Sequence, residues 1–194
     1  MQIGLNALGF KLGIADGDEG PKTKAAYSAW LASLSSNMND IIKIAQTQVG
    51  LRETSKNQGE GLAKFWTATS YPDGYENREP YCAAFVCWVI REAFKGKTVP
   101  FTLPTSPVAY DFEKWGAANK GRGVEVLVLA KSPQPGDIFT LAAASHVGLV
   151  KSVNGSEMVT IEGNTNEAGS REGDGVYEKK RNVSSIRKIV RITV

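Results

Sequence analysis

The chain has 194 residues, enough for one good-sized core and a small unit beside it. Hydrophobic residues make up 42% and charged residues 22%, with a net charge of +3, a balance that excludes disordered and fibrous chains. No apolar run approaches the roughly 20 residues of a bilayer-spanning helix, and no basic run interleaved with aromatics follows a nucleic-acid module, so neither a membrane anchor nor a nucleic-acid partner is expected.

The start, Met1-Gln2-Ile3-Gly4-Leu5-Asn6, lacks a basic segment followed by an apolar core, so synthesis in the cytoplasm without a signal peptide is expected. Residues 5–13 read as a short helix ended by glycine, and Asp16-Gly17-Asp18-Glu19-Gly20-Pro21 as a turn-rich loop. That acidic loop lacks the oxygen-ligand spacing of a calcium loop. Residues 22–31 follow as a helix with Ala26, Trp30 and Leu31 available for a buried face. The polar residues 33–40 read as a linker, which divides the chain into a small helical unit, 1–34, and a main domain, 35–194. Residues 41–50 have apolar positions at helical spacing, with Asn39 or Asp40 to cap them and Gly50 to end them.

Phe65, Trp66, Tyr71 and Tyr75 supply aromatics to the next stretch. Trp66, Tyr75 and, further on, Trp115 suit a core more than a substrate groove. Pro80 then introduces Tyr81-Cys82-Ala83-Ala84-Phe85-Val86-Cys87-Trp88-Val89-Ile90, apolar and helix-compatible over about three turns. Cys82 falls in the first turn, where free backbone N–H groups and the positive end of the helix dipole favour a thiolate. Cys87 reads as inert core; two cysteines at this spacing on one helix point apart, so no disulfide is expected. Residues 105–115 read as a helix begun by proline and ended by Gly116.

Strands dominate after that, at residues 124–129, 137–140, 146–152, 158–162, 175–179 and 188–194. Helices first and strands later predict an α+β fold with an antiparallel sheet. The chain's single histidine, His146, opens one of these strands, and Glu162 and Asn164 end the next. One histidine and two cysteines fall short of a zinc site, and neither metal nor organic cofactor is expected. The basic residues Lys179-Lys180-Arg181 and Arg187-Lys188 read as solvated strand ends, with weak attraction to an anionic polymer as the alternative.

Two resemblances emerge from these motifs. Leu8-Gly9-Phe10, Asp16-Gly17-Asp18-Glu19-Gly20-Pro21-Lys22-Thr23 and Ala25-Ala26-Tyr27 through Trp30 resemble the small peptidoglycan-binding domain of cell-wall hydrolases. The segment from about Asn39 to Val194 resembles the papain-like CHAP/NlpC-P60 group of peptidoglycan amidases and endopeptidases. That likeness is carried by Tyr81-Cys82-Ala83-Ala84-Phe85-Val86, Pro135-Gly136-Asp137-Ile138, Ser145-His146-Val147-Gly148-Leu149-Val150 and Ile161-Glu162-Gly163-Asn164. The Glu-Gly-Asn ending favours the CHAP branch.

The second resemblance implies roles. Cys82 would be the nucleophile, His146 its base, and Glu162 the group orienting the imidazole, with Asn164 as alternative or additional orienter. The backbone N–H of Cys82 would be one oxyanion donor. Six positions upstream, where papain carries a glutamine, stands Glu76, which leaves the second donor to Tyr81 or Asn77. The implied partner is bacterial peptidoglycan, met as a monomer in the periplasm or outside the cell after release. A phage endolysin fits this reading. So does a secreted antibacterial effector, which would bring an immunity protein as partner. A wall-binding or phage-tail component without turnover, and a cysteine enzyme acting on proteins, are the other classes left open.

Overall fold

The computed structural model describes residues 1–7, 9–127, 133–141, 145–167 and 173–194. Among them are five α-helices and a six-stranded antiparallel sheet, the expected α+β class. The helices are α1 (Gln2–Ala7), α2 (Pro21–Gln46), α3 (Ala63–Trp66), α4 (Cys82–Ala93) and α5 (Asp111–Ala118). The strands are β1 (Val124–Leu127), β2 (Ile138–Leu141), β3 (Val147–Asn154), β4 (Glu157–Thr165), β5 (Gly175–Asn182) and β6 (Ile186–Ile192), in the order β1-β6-β2-β3-β4-β5.

The small N-terminal helical unit differs from its expected outline. The first helix covers Gln2–Ala7, not residues 5–13; Leu8 lies outside the described residues. Two amide side chains of α1 hold the loop that follows. Asn6 accepts from the Leu12 N–H at 2.8 Å and donates to the Gly13 carbonyl at 2.9 Å. Gln2 accepts from Gly17 N–H at 3.0 Å and donates to Asp16 at 2.9 Å.

The polar residues 33–40 are helical, not a linker: α2 runs unbroken from Pro21 to Gln46. No glycine or proline occurs between Pro21 and Gly50, so nothing in the backbone stops the helix. Tertiary bonds hold it in place. Trp30 Nε1 donates to the Thr193 carbonyl at 3.0 Å, Asn37 Nδ2 donates to the Val194 carbonyl at 2.5 Å, and Lys97 bridges Asn37 and Asp40. The helix ends at Gln46, four residues before Gly50, with Thr47 as its C-cap.

Buried α4 packs on β3 and β4 on one side and on α2 and α3 on the other, while α5 packs directly on β1 and β6. Ala83, Ala84, Phe85, Val86, Val89 and Ile90 have no exposed surface, and they join Val147, Leu149 and Ile161 in the main core. A second cluster, with Phe139, Val150, Met158 and Ile189, fills the other face of the sheet. The helix expected at 105–115 starts later, at Asp111, and passes through Gly116. A Cβ at Gly116 would fall 2.6 Å from Val126 and 2.8 Å from Val190, so the glycine permits close helix-to-sheet packing and is no terminator. Of the expected strand at 124–129, residues 128 and 129 lie outside the described residues.

Candidate active site

Cys82 is the first residue of α4, as its position after Pro80 and Tyr81 predicts. The chain leading to it is fixed by the loop before α3: Asn57 Nδ2 donates to the Arg78 carbonyl at 2.7 Å and Gln58 Nε2 to the Tyr75 carbonyl at 3.1 Å. Asn57 and Arg78 both take φ 56, the left-handed conformation that asparagine tolerates better than arginine. The thiol therefore starts a rigid helix from a stitched approach.

His146 lies just before β3 and is 1% exposed. Its Nε2 sits 2.8 Å from Glu162 Oε2. An ionised carboxylate only accepts, so Nε2 carries the proton. The other ring nitrogen, Nδ1, is buried, and the imidazole acts on the Cys82 thiol through hydrogen bonding and then through charge.

Glu162, on β4, is fully buried. Arg181, on β5, grips it with both prongs of the guanidinium: Nε to Oε1 at 2.5 Å and Nη2 to Oε2 at 2.6 Å. The Thr160 hydroxyl also donates to Oε1. Arg181 was no site candidate in the sequence, where it read as one of several solvated strand ends; its side chain is in fact only 14% exposed. Lys179 likewise turns back to the Asn166 and Glu167 carbonyls. The pairing of β4 with β5 puts Thr160 opposite Lys179 and Met158 opposite Arg181, a register that no local pattern reveals.

These neighbours set the protonation states. Burial opposes a thiolate at Cys82, but the His146 imidazole and the backbone N–H groups of Val147 and Ala83 outweigh it and lower the thiol below its usual value. Burial also opposes an imidazolium at His146; contact with Cys82 and Glu162 reverses this and raises it to about 9. Burial would raise the Glu162 carboxyl, yet Arg181 and then His146 hold it at about 2. The neighbours of all three groups therefore push each of them towards its charged form, against the effect of burial.

Two motif glycines make the geometry possible. A Cβ at Gly148 would lie 2.7 Å from Glu162 Cγ and 2.8 Å from the Phe139 ring. One at Gly163 would lie 2.8 Å from Phe85 Cβ, forcing β4 away from α4. Asn164 follows, buried and at φ 55, with its backbone N–H acting on the Tyr81 phenol. The imidazole nitrogen that an orienting group would hold is taken by Glu162.

The remaining candidates divide. Cys87 is buried with its Sγ 3.4 Å from the Ser106 carbonyl, and burial and then the nearby Cys82 push its thiol up to about 12. Both cysteines are free. Tyr81 is wholly buried, its phenol raised by burial and by Glu53, while Asn77 Nδ2 donates to the Tyr71 hydroxyl at 2.6 Å. A cleft of about 400 Å³ reaches Cys82, walled by Trp66, Tyr71, Pro107, Val108 and Ala109, with Glu79 as its charged wall residue. Trp66 thus serves core and cleft together. Among the described residues, no cluster of three or more His, Cys, Asp or Glu is placed to hold a metal ion.

Residues 70–164 match the CHAP domain. The CHAP span holds Cys82, His146, Glu162 and Asn164 and stops short of Arg181. Among solved structures, the chain is similar to a crystal structure of Ly7917, at 17% identity and a TM-score of 0.49, over 80% of this chain and 62% of that one. It is also similar to a crystal structure of Ly7917 with the hydrolyzing product of MDP, at 15% identity, the same TM-score and the same coverage. The chain spans 62% of the length of those structures. No curated protein matches the sequence.

Proposed function

We propose that this chain is a cysteine hydrolase of bacterial peptidoglycan, cutting an amide bond of the wall peptide as an N-acetylmuramoyl-L-alanine amidase or an endopeptidase. The observation that carries the reading is the alignment of Cys82, His146 and Glu162 beside a cleft, within the CHAP span. The Cys82 thiolate attacks the amide carbonyl carbon, and the carbonyl electron pair moves to oxygen, facing the Cys82 backbone N–H at the start of α4. The tetrahedral adduct expels the amine, which takes its proton from His146 Nδ1. Water, deprotonated by the same nitrogen, then hydrolyses the thioester and frees the thiolate. Glu162 keeps the proton on Nε2 throughout and balances the imidazolium. We assign Asn164 a supporting part, through the left-handed backbone it adopts within β4 and the N–H it presents to the Tyr81 phenol.

The reading extends to a phage endolysin acting as a monomer on the wall, with residues 1–34 adding wall affinity. Among the described residues no helix is long and apolar enough to cross a membrane. The test is mass spectrometry of purified sacculi digested by the wild type and by Cys82→Ser. Free stem peptides released by the wild type alone identify an amidase; shortened or uncrosslinked muropeptides identify an endopeptidase. No release from several wall types, or equal release by Cys82→Ser, overturns the proposal. Removal of residues 1–34 should weaken sedimentation with sacculi more than it slows cleavage of a soluble fragment.

A further inference from the structure

We propose that Arg181 is a positioning residue of the active site, acting through Glu162 to keep the His146 imidazole charged and aimed at Cys82. The inference rests on Cys82 and His146 being nucleophile and base, but not on the identity of the substrate. It goes beyond the CHAP match, which ends 17 residues before Arg181.

The geometry is specific. Two parallel N–H donors meet two carboxylate oxygens at 2.5 and 2.6 Å, an arrangement only a guanidinium fork can make. The carboxylate is fully buried, where a lone negative charge is costly and would take up a proton. Protonated, Glu162 would no longer balance an imidazolium. With Arg181 in place the buried groups alternate in sign from Cys82 through His146 and Glu162 to the guanidinium, so each charge has an opposite neighbour. The charged groups acting on Glu162 are His146 just before β3, Arg181 on β5 and, at longer range, Lys179 on β5; Cys82 on α4 acts through the imidazole. Lys179 does not duplicate the fork, because its ammonium is turned to the Asn166 and Glu167 carbonyls. Thr160 completes the cradle on Oε1, but it carries no charge.

The test measures the rate of Cys82 alkylation by iodoacetamide against pH, by intact mass, in the full chain carrying Cys87→Ala. In Arg181→Gln the acid limb of the profile should move to higher pH, and the rate near neutrality should fall roughly 10-fold for each pH unit of that displacement. Arg181→Lys, which can make one of the two bonds, should fall between. Guanidinium ion added to Arg181→Ala should restore part of the rate. The Glu162→Gln, Arg181→Gln double variant should be no slower than Glu162→Gln alone. A folded Arg181→Gln with the wild-type profile overturns the proposal, as does an Arg181 effect that adds in full to that of Glu162→Gln. If Arg181→Gln fails to fold, a wild-type profile in Arg181→Lys overturns it equally. Alkylation needs no wall substrate: sacculi left intact by a wild type with the expected alkylation profile would count against the substrate, not against Arg181.

Discussion

Gly148→Ala tests how tightly the site is packed. The added Cβ would stand 2.7 Å from Glu162 Cγ and 2.8 Å from two atoms of the Phe139 ring. Carbon atoms in contact prefer about 3.5–4.0 Å, so something must move by roughly 1 Å. Phe139 is fully buried, and Glu162 is bound by His146, Arg181 and Thr160, so neither can yield without losing packing or a buried bond. Overpacking of this kind costs about 1–3 kcal/mol, which for a chain of this size lowers the melting temperature by roughly 2–12 °C. A 1 Å displacement of the orienting carboxylate should cost about 100-fold in turnover. Calorimetry and the rate of product release from sacculi measure the two effects, with Gly4→Ala as control, since its Cβ meets nothing within 4 Å. Wild-type stability together with wild-type turnover in Gly148→Ala would refute the reasoning.

Other predictions address the thiols, the pH range and the sheet. Cys87→Ser should keep most of the turnover; complete loss in a folded protein would mean that the wrong thiol was assigned. His146 is raised from 6.5 to about 9, so its contribution to stability is complete below pH 6.5 and fades as pH rises through 9. Glu162 is lowered from 4.5 to about 2, so its contribution is present above pH 4.5 and lost as pH falls towards 2. Thermal melts of the wild type against His146→Ala should therefore differ most between those limits, and a difference independent of pH would contradict the charged pair. Away from the site, buried Asp137 is held by Arg191 at 2.8 and 2.7 Å and by the Gln134 N–H at 2.7 Å. Arg191→Leu should cost about 3–5 kcal/mol by stranding that carboxylate, measured by urea unfolding.

Much of the site is written in local patterns. Pro80 and the apolar run after it place Cys82 at a helix start, because proline suits the first turn and the run can bury itself. Alternation and turn residues likewise mark the strand that His146 leads into and the strand that carries Glu162. The outline of α2 was harder to read. Its polar middle looks like a linker until Trp30, Asn37 and Asp40 are seen bonded to the chain's last residues and to Lys97.

What the sequence by itself determined is that Cys82 opens a helix, that His146 stands just ahead of one strand and that Glu162 lies towards the end of the next, since capping, periodicity and turn formation depend on neighbours a few positions away. The tertiary structure alone decided that Arg181, 19 residues beyond Glu162, reaches back to hold it, and that Gly148 must lack a side chain to admit that carboxylate. Both depend on strand register and on the packing of a sheet face, and such contacts join residues whose separation along the chain carries no periodic signal.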